Sequence, residues 1–252
     1  MGDLTGRSVL ITGGARRLGK AIALAMARAG ADVAITYFES KKEAQQTAQR
    51  IGRAGVTAIA IPCDVTDEAS IRHAVAQAAE RFGGLDILVN NAANYEVADF
   101  ESITVAQWDH IFATNTRAPY LVTRAALPAL RRARGRVINM GSLGGELAWV
   151  TNAHYCASKA ALHHLGRVMA KALAPDIAVN TVAPGMIQLD EPPKHTARRG
   201  RADTFFARQA QRTPMQRNGA AADVVAAVMF LATAPHFITG QLVIVDGGLK
   251  LA

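Results

Sequence analysis

A tyrosine, a lysine and a serine are spaced so that they could carry out proton transfer together. Tyr155 and Lys159 are four residues apart, and Ser142 stands 13 residues before the tyrosine. Residues four apart on one helix share a face, so the lysine ammonium could lower the pKa of the tyrosine and make the phenol a usable acid. A serine hydroxyl from a neighbouring strand end could then hold the substrate oxygen or nitrogen while a hydride and a proton are delivered.

A glycine-containing turn at residues 12–19 could bind the phosphates of a nucleotide. It follows an apolar run typical of a strand and precedes a helical pattern. Gly13 permits a tight backbone reversal, Gly19 allows the helix to pack closely on the strand, and the helix N-terminus offers N–H groups to a pyrophosphate. The spacing differs from the G-x-G-x-x-G fingerprint, and such a turn can also serve only to join a strand to a helix.

The elements that must position these residues follow an alternating pattern of strands and helices. Runs of β-forming residues occur at 8–12, 32–37, 57–61, 86–89, 136–140, 177–182 and 242–245. We therefore expect an α/β protein with a Rossmann-type, doubly wound parallel sheet of seven strands and helices on both faces. Because no linker or repeat divides the chain, residues 1–252 are predicted to form a single domain. Residues 185–219 are predicted to form a long substrate-binding loop.

Polar residues follow two of the predicted strands. Asp64 and Val65 come after the third strand, and Asn90 to Ala93 follow the fourth. Ligands of open parallel sheets bind at the carboxyl ends of the strands, so we expect these residues to share one site with the glycine turn. Taken one at a time, the aspartate and the asparagines could equally be turn formers.

The composition restricts the class of protein. The two cysteines, Cys63 and Cys156, do not form a disulfide framework or a metal-ligand spacing, so we expect no metal and a cytoplasmic location. No apolar run reaches about 18 residues, and the first strand begins almost at the N-terminus, which argues against a membrane span or a signal peptide. The net charge of +8 favours anionic ligands. The arginine clusters lack interleaved aromatics, so we do not expect nucleic-acid binding.

The order of these motifs resembles the short-chain dehydrogenase/reductase family over nearly the whole chain. The matching features are the glycine turn, Asp64, Asn90-Asn91-Ala92, Asn115, Ser142, Tyr155-x-x-x-Lys159, Pro184-Gly185 and Val245-Asp246-Gly247-Gly248. The resemblance implies hydride transfer from a nicotinamide cofactor, with Ser142, Tyr155, Lys159 and Asn115 as the catalytic set. Tyr155 would be the acid, and Asn115 would anchor a water that links Lys159 to solvent.

The resemblance also assigns the cofactor site. It implies that Asp64 and Val65 meet the adenine, that Asn91 and Ala92 line the adenosine and ribose path, and that Lys159 holds the nicotinamide ribose. The whole set expected to bind the cofactor is Gly13, Arg16, Arg17, Leu18, Gly19, Tyr37, Ser40, Lys41, Asp64, Val65, Asn91, Ala92, Ala93, Tyr155, Lys159, Pro184 and Gly185.

The end of the second strand favours NADP(H) over NAD(H). Tyr37 and its neighbours stand where an aspartate would accept a ribose 2′-hydroxyl, so a 2′-phosphate is tolerated. Glu39 must then point to solvent, since a carboxylate close to the phosphate would repel it. Four side chains could pair with the phosphate: Arg16, Arg17, Ser40 and Lys41.

A narrower resemblance concerns the substrate. The variant TGxxxRLG, with Arg17 at the family's usual glycine, is similar to the pteridine reductase branch, in which an aromatic residue at the position of Tyr95 stacks on a flat pterin. Ser142 departs from that branch, which commonly has aspartate there, and agrees with general ketone reductases. We expect a pterin-like heterocycle, with a ketone or 3-oxoacyl thioester as the alternative and a catalytically silent nucleotide-sensing or scaffold protein as a remote one. The predicted substrate contacts are Arg17, Tyr95, Ser142, Tyr155 and Met186.

Two further expectations concern assembly and the histidines. The family resemblance implies a homotetramer or homodimer formed through the helix at residues 153–174 and the C-terminal strand.

His163 and His164 are predicted to be packing or interface residues, and His195 lies in the variable loop. His154 should point about 100° away from Tyr155 around the helix, so we assign no histidine to proton transfer.

Overall fold

A parallel β-sheet forms the centre of the structure. The computed structural model describes residues 3–189 and 199–252, with side chains at 3–189 and 205–252. All strand pairings within these residues are parallel. The sheet contains seven strands: β1 (Ser8–Ile11), β2 (Asp32–Tyr37), β3 (Ala58–Pro62), β4 (Ile87–Asn90), β5 (Arg136–Met140), β6 (Ala178–Pro184) and β7 (Leu242–Val245). The predicted seven-stranded parallel sheet is confirmed.

The strand order places a crevice beside β1. The order is β3-β2-β1-β4-β5-β6-β7, and Val9 of β1 lies opposite both Val33 of β2 and Ile87 of β4. The chain therefore adds β2 and β3 on one side of β1 and then adds β4 to β7 on the other side. Ligands of such sheets bind where the order reverses, at the carboxyl ends of the strands. The glycine turn leaves β1 at this point.

Helices cover both faces of the sheet. Within the described residues they are α1 (Arg17–Arg28), α2 (Lys41–Gly52), α3 (Glu68–Phe82), α4 (Val105–Phe112), α5 (Ala118–Ala133), α6 (Ala153–Leu173), α7 (Arg199–Arg212) and α8 (Ala221–Thr233). A π-helix, Ala113–Arg117, joins α4 to α5. Local signals explain several of the ends. For example, the Asp67 side chain accepts a hydrogen bond from the Ser70 N–H at the start of α3, and Gly83 ends that helix with a φ of 72°.

Two hydrophobic cores lie on opposite faces of the sheet. Val9 and Ile11 of β1 belong to one core, together with residues of α1, α2 and α8 such as Met26. Leu10 belongs to the other, together with residues of α3, α5 and α6 such as Leu130. Successive side chains of a strand point to opposite faces, so β1 to β6 each contribute to both cores. The rigid sheet between them holds the strand ends in place.

The prediction of a long loop at 185–219 is partly wrong. The structure places α7 within it, and the ends of the stretch are tied together, since the Gly219 N–H donates to the Met186 carbonyl at 2.9 Å. The residues of α7 include Ala, Gln and Arg, which favour helices, and proline is absent between residues 199 and 212. Residues 190–198, including His195, lie outside the described part of the chain.

In the described part of the chain, no helix combines the length and the apolar character that crossing a bilayer requires.

Candidate active site

The helix α6 brings Lys159 against the end of β5. The lysine is 2 % exposed, and its Nζ donates to the Met140 carbonyl at 2.8 Å. Tyr155 lies one helical turn earlier, with its ring centroid 5.8 Å from Nζ. The predicted four-residue spacing on one helix therefore places both side chains at the carboxyl edge of the sheet.

Ser142 reaches the same place from the other side. It lies two residues after the end of β5, and its Oγ accepts a hydrogen bond from the Gly144 N–H at 3.1 Å. A hydrogen bond between Ser142 and Tyr155 acts to lower the pKa of the tyrosine. The structure thus brings together the serine, the tyrosine and the lysine that the sequence analysis selected.

The prediction that Lys159 lowers the pKa of Tyr155 is wrong for this geometry. Burial raises the pKa of Tyr155 to about 12, and this outweighs the hydrogen bond from Ser142. Burial also lowers the pKa of Lys159 to about 8. The lysine head group is directed at a carbonyl oxygen, so it does not act on the phenol as the sequence alone implied. At neutral pH the tyrosine keeps its proton and the lysine is charged.

Asn115 lies in the π-helix, a local widening that often occurs at functional sites. Its Nδ2 donates to the Asn94 carbonyl at 2.9 Å and to Ser158 Oγ at 3.1 Å, and its Oδ1 accepts from the Asn94 N–H at 2.8 Å. The side chain therefore fastens the segment after β4 to α6. The predicted water relay through Asn115 stays a prediction.

Asn91 holds the glycine turn to the end of β4. Its Nδ2 donates to the carbonyls of Thr12 and Gly13, at 2.9 and 3.1 Å. Thr12 Oγ1 accepts from the N–H groups of Asn91 and Ala92. A Cβ on Gly19 would collide with the Gly13 carbonyl and with Asn91, so the close packing expected of this glycine is observed. These contacts fasten the turn to the segment after β4.

The start of α1 fits a nucleotide diphosphate. No side chain caps this helix, and its first turn contains no acidic residue. N–H groups at a helix N-terminus attract anions, and Arg16 and Arg17 add positive charge beside them. Arg17 adopts a φ of 50°, the left-handed region that favours glycine. The structure therefore agrees with the family's preference for glycine here and shows that this chain holds an arginine under strain.

A basic cavity of about 320 Å³ adjoins the turn. Lys20 and Arg50 line it together with the two arginines of the turn, and sequence reasoning missed them. Of the predicted phosphate ligands, Ser40 precedes α2 and neither it nor Lys41 lines this cavity. Glu39 is exposed. The cavity is lined by Ala15, Arg16, Arg17, Lys20, Glu43, Gln46, Thr47 and Arg50.

Two aromatic rings flank Tyr155. The Tyr95 ring meets it edge to face, with centroids 4.9 Å apart, and the Trp149 ring lies nearly parallel to it at 6.2 Å. Trp149 also covers Gly144, where a Cβ would lie 2.9 Å from the indole. The position predicted for Tyr95 is therefore beside the reacting groups. Sequence reasoning missed Trp149, although its place between Ser142 and Tyr155 was a usable signal.

The other predicted residues lie at the carboxyl edge of the sheet or beside it. Asp64 accepts hydrogen bonds from the Thr66 N–H and hydroxyl, at 2.8 and 2.7 Å, which is the turn-forming role left open by the sequence. The Gly185 N–H donates to the Val245 carbonyl at 2.9 Å, which joins the ends of β6 and β7. Leu18 packs on the core. Tyr37 and Pro184 are the last residues of β2 and β6, and three others follow strand ends: Val65, Ala93 and Met186.

His163 is a site residue that sequence reasoning missed. It is 3 % exposed and lies four residues after Lys159, on the face of α6 that carries Tyr155. Its ring contacts the backbone of Ser142. The repeated four-residue spacing of tyrosine, lysine and histidine was the available signal. His154 is also buried, and neither ring nitrogen has a hydrogen-bond partner among the described residues. No group of metal-ligating side chains occurs within the ranges that the structure describes.

The chain is similar to known proteins over nearly its whole length. A family profile described as enoyl-(acyl carrier protein) reductase matches residues 13–250. An uncharacterized oxidoreductase of Methylorubrum extorquens is 35 % identical, covering 99 % of this chain and 100 % of the relative. A 3-oxoacyl-[acyl-carrier-protein] reductase of Staphylococcus aureus is 32 % identical, with 97 % and 98 % covered. A short chain dehydrogenase of Burkholderia cenocepacia, solved in complex with NADP, is 38 % identical with a TM-score of 0.89, covering 98 % of this chain and 99 % of that one.

Replacement of Lys159 by methionine is expected to stabilise the protein at neutral pH. Burial holds the pKa of the lysine near 8, below its ordinary value of 10.5, so the folded state binds the proton more weakly than the unfolded chain. Stability of the wild type should rise with pH between these values, and below them the buried charge costs on the order of 1–3 kcal/mol. Urea unfolding from pH 7 to 10.5 should therefore show the largest gain for Lys159→Met at pH 7, shrinking as the pH rises.

Lys171→Met is the control, because Lys171 is an exposed lysine on the same helix. It should change the free energy of unfolding by less than about 0.5 kcal/mol at every pH. A Lys159→Met protein whose stability difference from wild type does not vary with pH would show that the ammonium is not penalised by burial.

Proposed function

The chain belongs to the short-chain dehydrogenase/reductase family, and from this premise we propose that it is an NADPH-dependent reductase of a C=O group on a flat, conjugated molecule. It is an oxidoreductase of that family. The observation that carries the proposal is the meeting of the Ser142 and Tyr155 side chains beside the buried ammonium of Lys159. Two hydroxyls and one cation at a single point can bind a carbonyl oxygen and supply its proton.

Each side chain has a separate task in this proposal. When bound, the cofactor supplies the hydride that reaches the carbonyl carbon. Tyr155 is protonated at neutral pH, because burial raises its pKa to about 12, and it gives its proton to the carbonyl oxygen. Ser142, oriented by the Gly144 N–H, donates a hydrogen bond to that oxygen. Solvent then restores the proton of the tyrosinate that remains.

The aromatic wall supports a flat substrate. Tyr95 and Trp149 stand on two sides of the Tyr155 ring, and Tyr95 is 48 % exposed, which leaves a face for another ring. Stacking against such a ring adds about 1 kcal/mol beyond the area buried. An extended aliphatic chain would gain less from this arrangement. We also propose that Met186 contacts the substrate, since the adjacent Gly185 packs near Leu143 beside the catalytic serine.

Two substrate classes remain, and specific residues favour each. Ser142 supports reduction of a C=O group, as in a ketone or a 3-oxoacyl thioester, and the similarity to a 3-oxoacyl-[acyl-carrier-protein] reductase supports the same reaction. The flat shape proposed above rests on Tyr95 and Trp149 alone. Tyr95 and Arg17 support a pterin-like heterocycle with a C=N group. We place the carbonyl substrate first because a serine hydroxyl orients a carbonyl oxygen well, whereas it is a poor proton donor to a ring nitrogen.

NADPH is the proposed cofactor. The end of β2 at Tyr37 carries no carboxylate to accept a ribose 2′-hydroxyl, and four cations line the cavity beside the turn. Phosphate would pair with these cations, and Arg can do so with two parallel hydrogen bonds. The binding of NADP by the Burkholderia cenocepacia relative supports this choice.

We infer that residues 1–252 act as one cofactor-binding domain on a small-molecule substrate in the cytoplasm. We also propose a homodimer or homotetramer that associates through α6 and β7. Exposed apolar side chains near these elements support such an interface, among them Val168 on α6 and Phe237 before β7.

Tyr155→Phe is expected to abolish reduction while cofactor binding persists, because only the proton donor is removed. NADPH oxidation should be followed with a panel of cyclic and aromatic ketones, 3-oxoacyl thioesters and dihydropterins, and NADPH affinity by fluorescence titration. A loss of about 10³-fold or more in kcat with an unchanged Kd fits removal of a general acid. A variant that keeps most of its kcat would exclude Tyr155 from that role, and an inactive wild type on every compound would exclude the proposed function.

Tyr95→Ala is expected to discriminate between the substrate classes. For a stacked heterocycle or aromatic ketone, KM should rise about fivefold to tenfold, because about 1 kcal/mol of stacking is lost. For a small aliphatic ketone, KM should hardly change. Tyr120→Ala is the matched control, since Tyr120 has a similar exposure of 43 % and lies on α5. An equal effect on flat and aliphatic substrates would contradict a stacking role.

Arg17→Gly is expected to have two opposite effects. The NADPH/NADH ratio of kcat/KM should fall about tenfold, because a counter-charge of the 2′-phosphate is lost. The free energy of unfolding should rise by about 0.5–1 kcal/mol, because glycine adopts the positive φ without strain. Arg28→Ala, which removes an exposed charge at the other end of α1, should leave the ratio unchanged. If Arg17→Gly leaves the ratio unchanged as well, the phosphate is bound elsewhere.

A further inference from the structure

The His163 imidazole occupies a defined position under the catalytic serine. Its Nε2 lies 3.3 Å from the Ser142 backbone nitrogen, and its Nδ1 lies 3.1 Å from Glu146 Oε1. The ring is 3 % exposed, so neither contact is shared with bulk water. Both nitrogens therefore have protein partners, which distinguishes this histidine from a residue that only fills space.

The partners determine where the proton of the ring lies. A backbone N–H can only donate, so Nε2 must present its lone pair to Ser142. The proton then lies on Nδ1 and is donated to the Glu146 carboxylate. The other carboxylate oxygen of Glu146 is paired with Lys250 Nζ. Burial lowers the pKa of His163, which agrees with a neutral ring. The result is a continuous chain from Lys250 through Glu146 and His163 to Ser142.

The loop that carries the serine is shaped around the ring. Gly141 precedes Ser142, and a Cβ there would collide with His163 Nε2. Gly145 lies at the other end of the loop, and a Cβ there would lie 2.6 Å from Cε1 of the same ring. Glycines leave the backbone free to adopt many conformations, so this segment needs an external contact to hold a single one. The imidazole supplies that contact.

From these contacts we propose that His163 is a positioning residue for the reaction, which holds the Ser142 backbone so that its hydroxyl meets Tyr155. The proposal deepens the proposed function and rests on it, since Ser142 must be the residue that orients the substrate oxygen. Glu146 accepts the proton of Nδ1 in a hydrogen bond and so favours this tautomer of the ring, and the ion pair with Lys250 holds the Glu146 carboxylate in position. Removal of the ring leaves a buried backbone N–H without a partner, which is costly, and the loop then relaxes.

Two amide variants separate the contacts of the ring. The glutamine amide in His163→Gln reaches the position of Nε2 and can accept from the Ser142 N–H through its oxygen. The shorter amide in His163→Asn reaches only the position of Nδ1, toward Glu146. We expect His163→Gln to keep kcat within about threefold of wild type and His163→Asn to lose about tenfold or more, with the KM for NADPH unchanged in both.

His164→Gln is the matched control, because His164 is the neighbouring histidine and is exposed. It should leave kcat and KM unchanged. Kinetics should be measured with whichever ketone or dihydropterin the wild type reduces. Equal losses in His163→Gln and His163→Asn, or no loss in either, would overturn the positioning role. An inactive wild type would instead be the failure of the proposed function.

A second measurement does not depend on activity. In protein labelled with ¹⁵N-histidine, the signals that vanish in His163→Gln belong to His163. At pH 7 we expect the shifts of a neutral ring with the proton on Nδ1, the tautomer that Ser142 and Glu146 require. A proton on Nε2, or a ring charged at that pH, would overturn the inferred chain even if the variants have lost activity through misfolding.

Discussion

The buried ammonium of Lys159 is the interaction on which the candidate site depends. Its hydrogen bond to the Met140 carbonyl joins α6 to the last residue of β5, and Ser142 follows two residues later. The charge is costly to bury, as the lowered pKa of about 8 shows. A group kept at such a cost is common at functional sites. Because α6 is fixed at Lys159, Tyr155 lies one turn before this point and His163 one turn after it, on the same face, and both reach Ser142.

Side-chain hydrogen bonds support the site around this contact. Asn91 joins the glycine turn to the end of β4, and Asn115 joins the segment after β4 to α6. His163 contributes in the same way to the segment after β5. Segments that leave a sheet have no partner strand, so their N–H and carbonyl groups need side-chain partners when they are buried. Polar residues at strand ends therefore stabilise the loops as well as line the crevice.

Sequence patterns predicted much of this arrangement. The strands at 32–37, 136–140 and 242–245 match the structure, and the other boundaries differ by one or two residues, because strand ends depend on pairing with neighbours. Ser142, Tyr155 and Lys159 were found from residue type and spacing. Trp149, His163, Lys20 and Arg50 were missed, because their roles arise from contacts between distant elements. The helix α7 was missed because the surrounding prolines and arginines suggested a loop.

The sequence by itself determined the alternation of strands and helices and the residues able to transfer protons, because these follow from local periodicity and side-chain chemistry. Only the tertiary structure decided the electrostatic state of those residues. Whether Lys159 lowers the pKa of Tyr155, or burial raises it, depends on how much water the surrounding elements exclude and on where the ammonium points. The tautomer of His163 was likewise decided by the Ser142 N–H, 21 residues away in the chain. Such effects arise from distances in space, which a sequence pattern does not contain.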